Sequence, residues 1–356
     1  MRIVSSDLVK DKKVLLRLDL DVPIEDGKVI EDFRLKSGLS TITLILQNAS
    51  KVVLIGHLGR PFKTAEEEKN GSVPTLSLKP VHEWLQDNLN QDIEFVTELE
   101  SAKVSPAKIV MLENIRFFHG EILGPEYHAT CSSKTCDMDF ARQLASIGDF
   151  FINEAFASHN PSASTTILPT LLPSAAGLHF AKELEKLLQI RNNPQKPFVA
   201  VLGGAKLEDK LGVLELFSKI ADAVLVGGKL PQEIKDKNMK VAKNVMVAQM
   251  NEAGLDVSPS AAESFTGVIK NASQVVWAGP LGKYEEEQSI LGTKIVAEGI
   301  LDSKADVLIG GGDTIAAIGK LNLLGQFEQR AFISTGGGAM LRLLIDGTLP
   351  TIDVLE

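Results

Sequence analysis

Short apolar runs rich in β-branched residues recur through the chain, each followed by a polar or glycine-rich exit and then by a stretch with helical periodicity. Lys51–Ile55 (KVVLI), Ile109–Leu112 (IVML), Val199–Leu202 (VAVL) and Gln274–Trp277 (QVVW) are examples. Runs with no polar alternation are buried on both faces, and strands alternating with helices predict a parallel sheet covered on each side. Further strands are expected at 13–18, 93–96, 150–152, 223–226, 245–248, 307–309 and 332–334. Asp32 is expected to cap a helix whose inner face carries Leu35, Leu39, Ile42 and Leu46. At 356 residues the chain exceeds one ordinary core, so two α/β domains are expected. The charged, amphipathic stretch 181–193, closed by Asn192-Asn193-Pro194, reads as the connecting helix. Residues 1–180 then form one domain and 194–344 the other. The expected fold is two Rossmann-like three-layer domains with parallel sheets joined by a hinge helix.

Ligands of open parallel sheets sit beyond the carboxyl ends of the strands, so the exits carry the functional information. In the first half they hold Arg17, Asp19, Asp21, His57, Arg60, Arg116 and His159, with Arg34 at a helix start. The formal charge of −9 excludes a broad nucleic-acid or anionic-membrane surface, so cations gathered at exits point to a small anion. An arginine fork suits phosphate or carboxylate; each arginine alone reads better as a rim ion pair, and it is the set that favours the anion. In the second half the exits are glycine-rich: Gly203-Gly204, Gly227-Gly228, Gly279-Pro280, Gly310–Thr314 and Gly336–Ala339. Glycine lets phosphate approach backbone N–H groups, and helix N-termini add favourable dipoles. None of these stretches fits the P-loop or the dinucleotide fingerprint, which argues against a P-loop ATPase and a dehydrogenase. A helix starting near Ala205 would place Lys206 and Lys210 on one face, two ammonium groups suited to a polyanion or simply to solvent. Asp313 is a candidate ligand for Mg²⁺ on nucleotide phosphates, with Thr314 a candidate donor to one of them.

Cys131 and Cys136 make no disulfide framework in a chain of this size. With His119 and His128 they offer four soft ligands in a polar loop, but without a recognised zinc spacing, so a surface loop is the expectation. The N-terminus lacks an apolar signal core and no apolar run is long enough to cross a bilayer, so a cytoplasmic protein is expected.

The segments RLDLDVP (17–23), GHLGRP (56–61), ENIRF (113–117), NEAFASH (153–159), PFVAVLGGAKLEDK (197–210), VVWAGPLGKYE (275–285), IGGGDT (309–314) and ISTGGGA (333–339) occur in this order. The set resembles the signature segments of phosphoglycerate kinases of bacterial type, from about residue 3 to residue 350. The resemblance implies reversible phosphoryl transfer between 1,3-bisphosphoglycerate and ADP, giving 3-phosphoglycerate and ATP, with Mg²⁺, in a monomer. It implies that Asp19, Asp21, Arg34, His57, Arg60, Arg116 and His159 hold the phosphoglycerate. It likewise implies that Gly204, Lys206, Lys210, Gly228, Gly279, Pro280, Glu285, Gly311, Gly312, Asp313 and Thr314 hold the nucleotide, Glu285 through the ribose. Arg34, Lys206 and the helix N-termini at Gly312 and Gly338 would stabilise the transferring group, and the tail from about Ile345 would return to the first domain. A non-catalytic binder on the same scaffold is the alternative. Three positions depart from the family: Asp21 and Ala278 replace Asn, and Asn160 stands where an arginine is expected. A weaker grip on the acid is the expectation, with Lys63, Ser162 or Ser164 as candidate compensators. The stretch 229–253 is shorter than in the family, so a helix or strand beside the nucleotide is expected to be absent.

Overall fold

Val14, Leu15 and Leu16 are buried on both faces of the first strand, β1 (Lys13–Arg17), as a parallel sheet sandwiched between helices requires. The computed structural model describes residues 1–61, 73–122, 138–286 and 289–356. The chain divides into two compact units, Met1–Leu184 with Thr348–Glu356, and Glu185–Gly347. Lys63, His128, Cys131 and Cys136 lie outside the described residues. Among the described residues, no group of three or more His, Cys, Asp or Glu could hold a metal ion, and no helix is long and apolar enough to cross a membrane.

In the first unit a short antiparallel hairpin, β2 (Ile24–Glu25) with β3 (Lys28–Val29), follows β1. The sheet is completed by β4 (Lys51–Ile55), β5 (Glu94–Val96), β6 (Ile109–Leu112), β7 (Phe150–Asn153) and β8 (Ser174–Ala176). Its order is β5-β6-β4-β1-β7-β8 and all its pairings are parallel. From β1 the chain lays down β4, then the edge strand β5, inserts β6 between those two, and returns to add β7 and β8 on the other side of β1, so the exits of β1, β4 and β7 flank a topological switch point. The helix Phe33–Asn48 packs Leu35, Ile42 and Ile45 into the core. Each such aliphatic side chain contributes roughly 1.5–3 kcal/mol relative to exposure. Asp32 stands at this helix's N-cap position without capping it, its carboxylate lying 2.8 Å from Lys36 Nζ instead.

The second unit is also built on a six-stranded sheet, of β9 (Phe198–Leu202), β10 (Ala223–Val226), β11 (Val245–Val247), β12 (Gln274–Ala278), β13 (Asp306–Gly310) and β14 (Ala331–Ser334). Their order is β11-β10-β9-β12-β13-β14, again all parallel, which puts the switch point between β9 and β12. Fully buried Trp277 donates its Nε1–H to the Gly279 carbonyl at 2.9 Å and meets Phe327 edge-on, fastening the exit of β12 to the core.

The helix Leu178–Asn192 spans the boundary between the units, which falls at Leu184. It starts three residues before the sequence-predicted 181 because its first donors have a partner. Buried Glu154, just after β7, accepts the N–H groups of His179 and Phe180 at 3.0 Å each. Thr41 completes the arrangement, donating its hydroxyl to Glu154 and accepting the Leu178 N–H. Burial pushes the Glu154 carboxyl up to about 7 despite these donors.

Candidate functional site

In the first unit, the exits of β1, β4 and β7, the turn after β6 and the start of the helix Phe33–Asn48 enclose a cavity of about 320 Å³. Asp19, Asp21, Arg34, His57, Arg60, Arg116 and His159, the seven residues expected to hold an acid, all line it. The switch-point topology explains why residues up to 140 positions apart meet there.

The two acids fasten backbone. Buried Asp19 accepts the Ala157 N–H at 2.8 Å and the Ser158 hydroxyl at 3.1 Å, so it holds the loop after β7; burial raises its pKa, with Arg34 opposing. Asp21 accepts the Gly59 N–H at 2.8 Å and so pins the loop that carries His57 and Arg60. Arg34 donates to the Asp21 carbonyl and Arg116 to the Gly59 carbonyl, each at 2.5 Å. Arg60 is exposed, and His159 Nδ1 lies 3.1 Å from the Ala157 carbonyl. Burial lowers the pKa of Arg116, with Arg17 reinforcing it.

Two buried residues outside the expected set organise this pocket. Glu121 accepts the hydroxyls of Ser162 and Ser164 at 2.7 Å each and the Ser164 N–H at 3.0 Å. Its carboxyl is raised by burial, with Arg17 opposing. Arg17 reaches the same Ser164 hydroxyl at 3.2 Å. Ser162 and Ser164 therefore spend their protons on Glu121, and the expectation that they replace a missing phosphate donor is not met. Glu121 escaped the sequence reading because one acid in a polar loop is indistinguishable from a solvated one.

In the second unit, three glycine turns interlock. A Cβ on Gly203 would lie 2.1 Å from the Pro280 carbonyl oxygen, and one on Gly279 (φ +102°) 2.2 Å from the Gly203 oxygen. The Gly204 N–H donates to the Pro280 carbonyl at 2.9 Å, and the Gly228 N–H to the Leu281 carbonyl at 2.8 Å. A cavity of about 200 Å³ opens beside these turns, and Gly204, Gly228, Pro280, Glu285 and Asp313 of the expected set line it. Lys229, Lys283 and Tyr284 also line it. Burial raises the Tyr284 pKa, followed by the charges of Asp313 and Glu285.

Lys206, Lys210, Gly279, Gly311, Gly312 and Thr314 are not among the residues lining that cavity. Lys206 is exposed on an irregular turn rather than on a helix. The helix begins only at Leu211, after a single 3₁₀ turn at Glu208–Lys210. Gly203 and Gly204 (φ +114°) must first thread the backbone past Pro280, and the Leu207 N–H then goes to Glu233. The expected shared helical face of Lys206 and Lys210 is thus absent, although Lys210 Cε comes within 3.6 Å of the Cβ position of Gly204. Thr314 is fully buried, its hydroxyl donating to the Gly310 carbonyl at 3.0 Å and accepting the Gly279 N–H at 2.8 Å. That hydroxyl ties two turns together and has no proton left for a phosphate. The helices Gly312–Lys320 and Gly337–Asp346 start at two glycine turns in close contact, a Cβ on Gly337 falling 2.4 Å from Gly311 Cα. Gly312 and Gly338 are exposed in their first turns, where helix N–H groups lack intrahelical partners.

The phosphoglycerate kinase family model matches residues 4–250 and 230–347. The chain belongs to the phosphoglycerate kinase family. The phosphoglycerate kinase of Finegoldia magna is 31% identical over 405 positions, covering 98% of this chain and 97% of that protein. That of Herpetosiphon aurantiacus is 33% identical over 401 positions, covering 97% and 96%. The solved phosphoglycerate kinase of Pyrococcus horikoshii superposes with a TM-score of 0.78 at 27% identity, covering 97% of this chain and 96% of that one. For that of Coxiella burnetii the TM-score is 0.77 at 28% identity, with the same coverage. Members are ATP/ADP-dependent kinases that transfer phosphate to a carboxyl group, and nothing in these relatives favours the non-catalytic alternative. Both alignments are longer than this 356-residue kinase, so the relatives carry segments it lacks. The two matched stretches overlap at 230–250, within the region expected to be short. The kinase nevertheless retains there the short helix Leu230–Asp236 and the edge strand β11.

Proposed function

We propose that the arginine-lined pocket of the first unit holds 3-phosphoglycerate or 1,3-bisphosphoglycerate, while the glycine turns of the second hold ADP or ATP. One observation carries this reading: seven charged or imidazole side chains, spread over five segments, converge on a single cavity sized for a small acid. Arg34, Arg60, Arg116 and His57 grip the acid; Asp19 and Asp21 keep the loops around it in place. Lys206 and Lys210 meet the nucleotide phosphates together with the N–H groups at Gly311, Gly312 and Gly338. Gly204, Gly228, Gly279 and Pro280 shape the cradle, and Glu285 takes the ribose. Thr314 acts by fixing the Gly279 turn.

The attacking oxygen is already a carboxylate or a phosphate, so no general base is needed; positioning and charge stabilisation lower the barrier. Arg34 and Lys206 are the donors to the transferring group, each worth ~3–4 kcal/mol when preorganised. Asp313, exposed in the first turn of its helix and lining the nucleotide cavity, suits Mg²⁺. That ion takes one or two carboxylates and fills its remaining positions with phosphate oxygens and water. When bound it would neutralise phosphate charge. We read the kinase as a cytoplasmic monomer.

The test is a coupled assay of ADP formation from ATP and 3-phosphoglycerate. Turnover should require the acid and disappear on chelation of Mg²⁺; ATP loss independent of the acid would overturn the reading.

A further inference from the structure

Arg17 lines the acid pocket yet is only 1% exposed, and each of its three guanidinium nitrogens is bonded to protein. Nε reaches Ser164 Oγ at 3.2 Å, Nη1 donates to the Leu18 carbonyl at 2.8 Å, and Nη2 lies 2.7 Å from His57 Nδ1. A guanidinium can only donate. The Nδ1 atom facing it must therefore accept, which leaves the single ring proton on Nε2; an imidazolium would set two donors against each other.

We propose that Arg17 is a positioning residue that locks His57 as a neutral Nε2–H donor, so that this ring grips the substrate acid by a hydrogen bond and not as a cation. The substrate half of this inference rests on the function proposed above; the state of the ring does not. The lock is itself held. The Ser164 hydroxyl donates to buried Glu121 at 2.7 Å while accepting from Arg17, which fixes the guanidinium plane. The charged groups around His57 act in the same sense. Arg17 faces it from β1, Arg34 from the helix Phe33–Asn48, Arg60 from its own loop and Arg116 from the turn after β6. Asp21 opposes them, its Oδ2 lying 4.0 Å from His57 Nε2, and the acids Asp19 and Glu121 line the same pocket. Burial first, then Arg17, Arg116, Arg34 and Arg60, holds the ring well below its ordinary proton affinity. A phosphate monoester loses its second proton near pH 6, close to where an ordinary histidine titrates. A ring that stays neutral there keeps one end of the grip constant while the substrate changes charge.

Long-range ¹H–¹⁵N correlation spectra of protein labelled at the histidine ring nitrogens test the lock, with His57 assigned from the peaks lost in His57→Asn. The expected pattern is an unprotonated Nδ1 and a protonated Nε2 from pH 5 to 8, with no titration. A protonated Nδ1, or a midpoint inside that range, would overturn the inference whether or not the kinase turns over. The second arm is the same spectrum of Arg17→Met. Burial and the three remaining arginines keep its ring neutral, so the expected change is in the tautomer: proton density appears on Nδ1 once no donor faces it, and the KM for 3-phosphoglycerate rises by about tenfold. A ring still protonated on Nε2 alone in that variant would contradict the positioning role. If Arg17→Met does not fold, the wild-type spectra decide alone.

Discussion

Both units are built on six-stranded parallel sheets of different strand order, and they present different groups at the strand exits. At the carboxyl ends of the first sheet these are side chains: buried His57, Arg17 and Glu121 are joined through the Ser164 hydroxyl, buried Asp19 holds the loop beside them, and burial displaces the proton affinity of each. At the equivalent ends of the second sheet they are backbone groups. Glycine turns pack so closely that a Cβ at Gly203 or Gly279 would overlap a carbonyl oxygen, while Lys206 and Asp313 stand exposed at the edge. A small acid offers few atoms and must be held by charge, whereas a polyphosphate offers many oxygens that N–H groups can cradle. On the function proposed above, one fold class therefore supports two recognition chemistries, set by the residues at the exit of each strand.

The largest effect is expected where each unit supplies its donor to the transferring group. Lys206→Ala and Arg34→Ala should each lower kcat by roughly 10²-fold or more with the circular-dichroism spectrum unchanged; near-wild-type turnover removes that residue from the role. Next comes the backbone cradle. Gly279→Ala, which must displace the Gly203 carbonyl, should raise the KM for ADP by roughly tenfold or more and destabilise the protein by ~1–3 kcal/mol, leaving the KM for phosphoglycerate nearly unchanged. Equal changes for both substrates would erase the contrast between the units.

A smaller, opposite effect is expected in the acid pocket. Asn160 lines it where the family pattern has arginine, and Ser162 and Ser164 are occupied by Glu121. Asn160→Arg should tighten 3-phosphoglycerate by about tenfold, the lower end of the worth of a charge-assisted hydrogen bond; titration showing no gain would mean the phosphate is already fully met.

The smallest effect concerns stability alone. Glu154 holds its proton up to about 7 in the folded state against a reference of 4.5. Between those values the folded protein keeps a proton that the unfolded chain has lost, so stability falls as pH rises through that window and levels off above it. The wild type should lose a few degrees more in Tm between pH 5.5 and 8 than Glu154→Gln does. Identical slopes by calorimetry would show that this carboxyl does not titrate there.

Much of this was legible in the sequence because fully apolar strands and their exits are local signals. The boundaries of β4, β6 and β10 are those the apolar runs predict. The edge strand β8, Ser174–Ala176, was not, since its small residues carry no strand signature, and its pairing with β7 is a tertiary event. The convergence of the seven expected residues on one cavity was legible because arginines at strand exits are conspicuous in an acidic chain. The helix expected at Ala205 failed for a long-range reason: the Pro280 carbonyl occupies the path of the turn. Arg17 and Glu121 share that lesson, their importance residing in partners forty or more positions away.

The division of labour between charge and backbone is tested most directly by a crystal structure of the kinase with 3-phosphoglycerate and Mg-ADP bound. The account predicts the acid within hydrogen-bond distance of Arg34, Arg60, Arg116 and His57 Nε2, and the nucleotide phosphates on Lys206 and the N–H groups at Gly311 and Gly312. An acid bound away from the arginines, or phosphates held by side chains with the glycine turns empty, would contradict it.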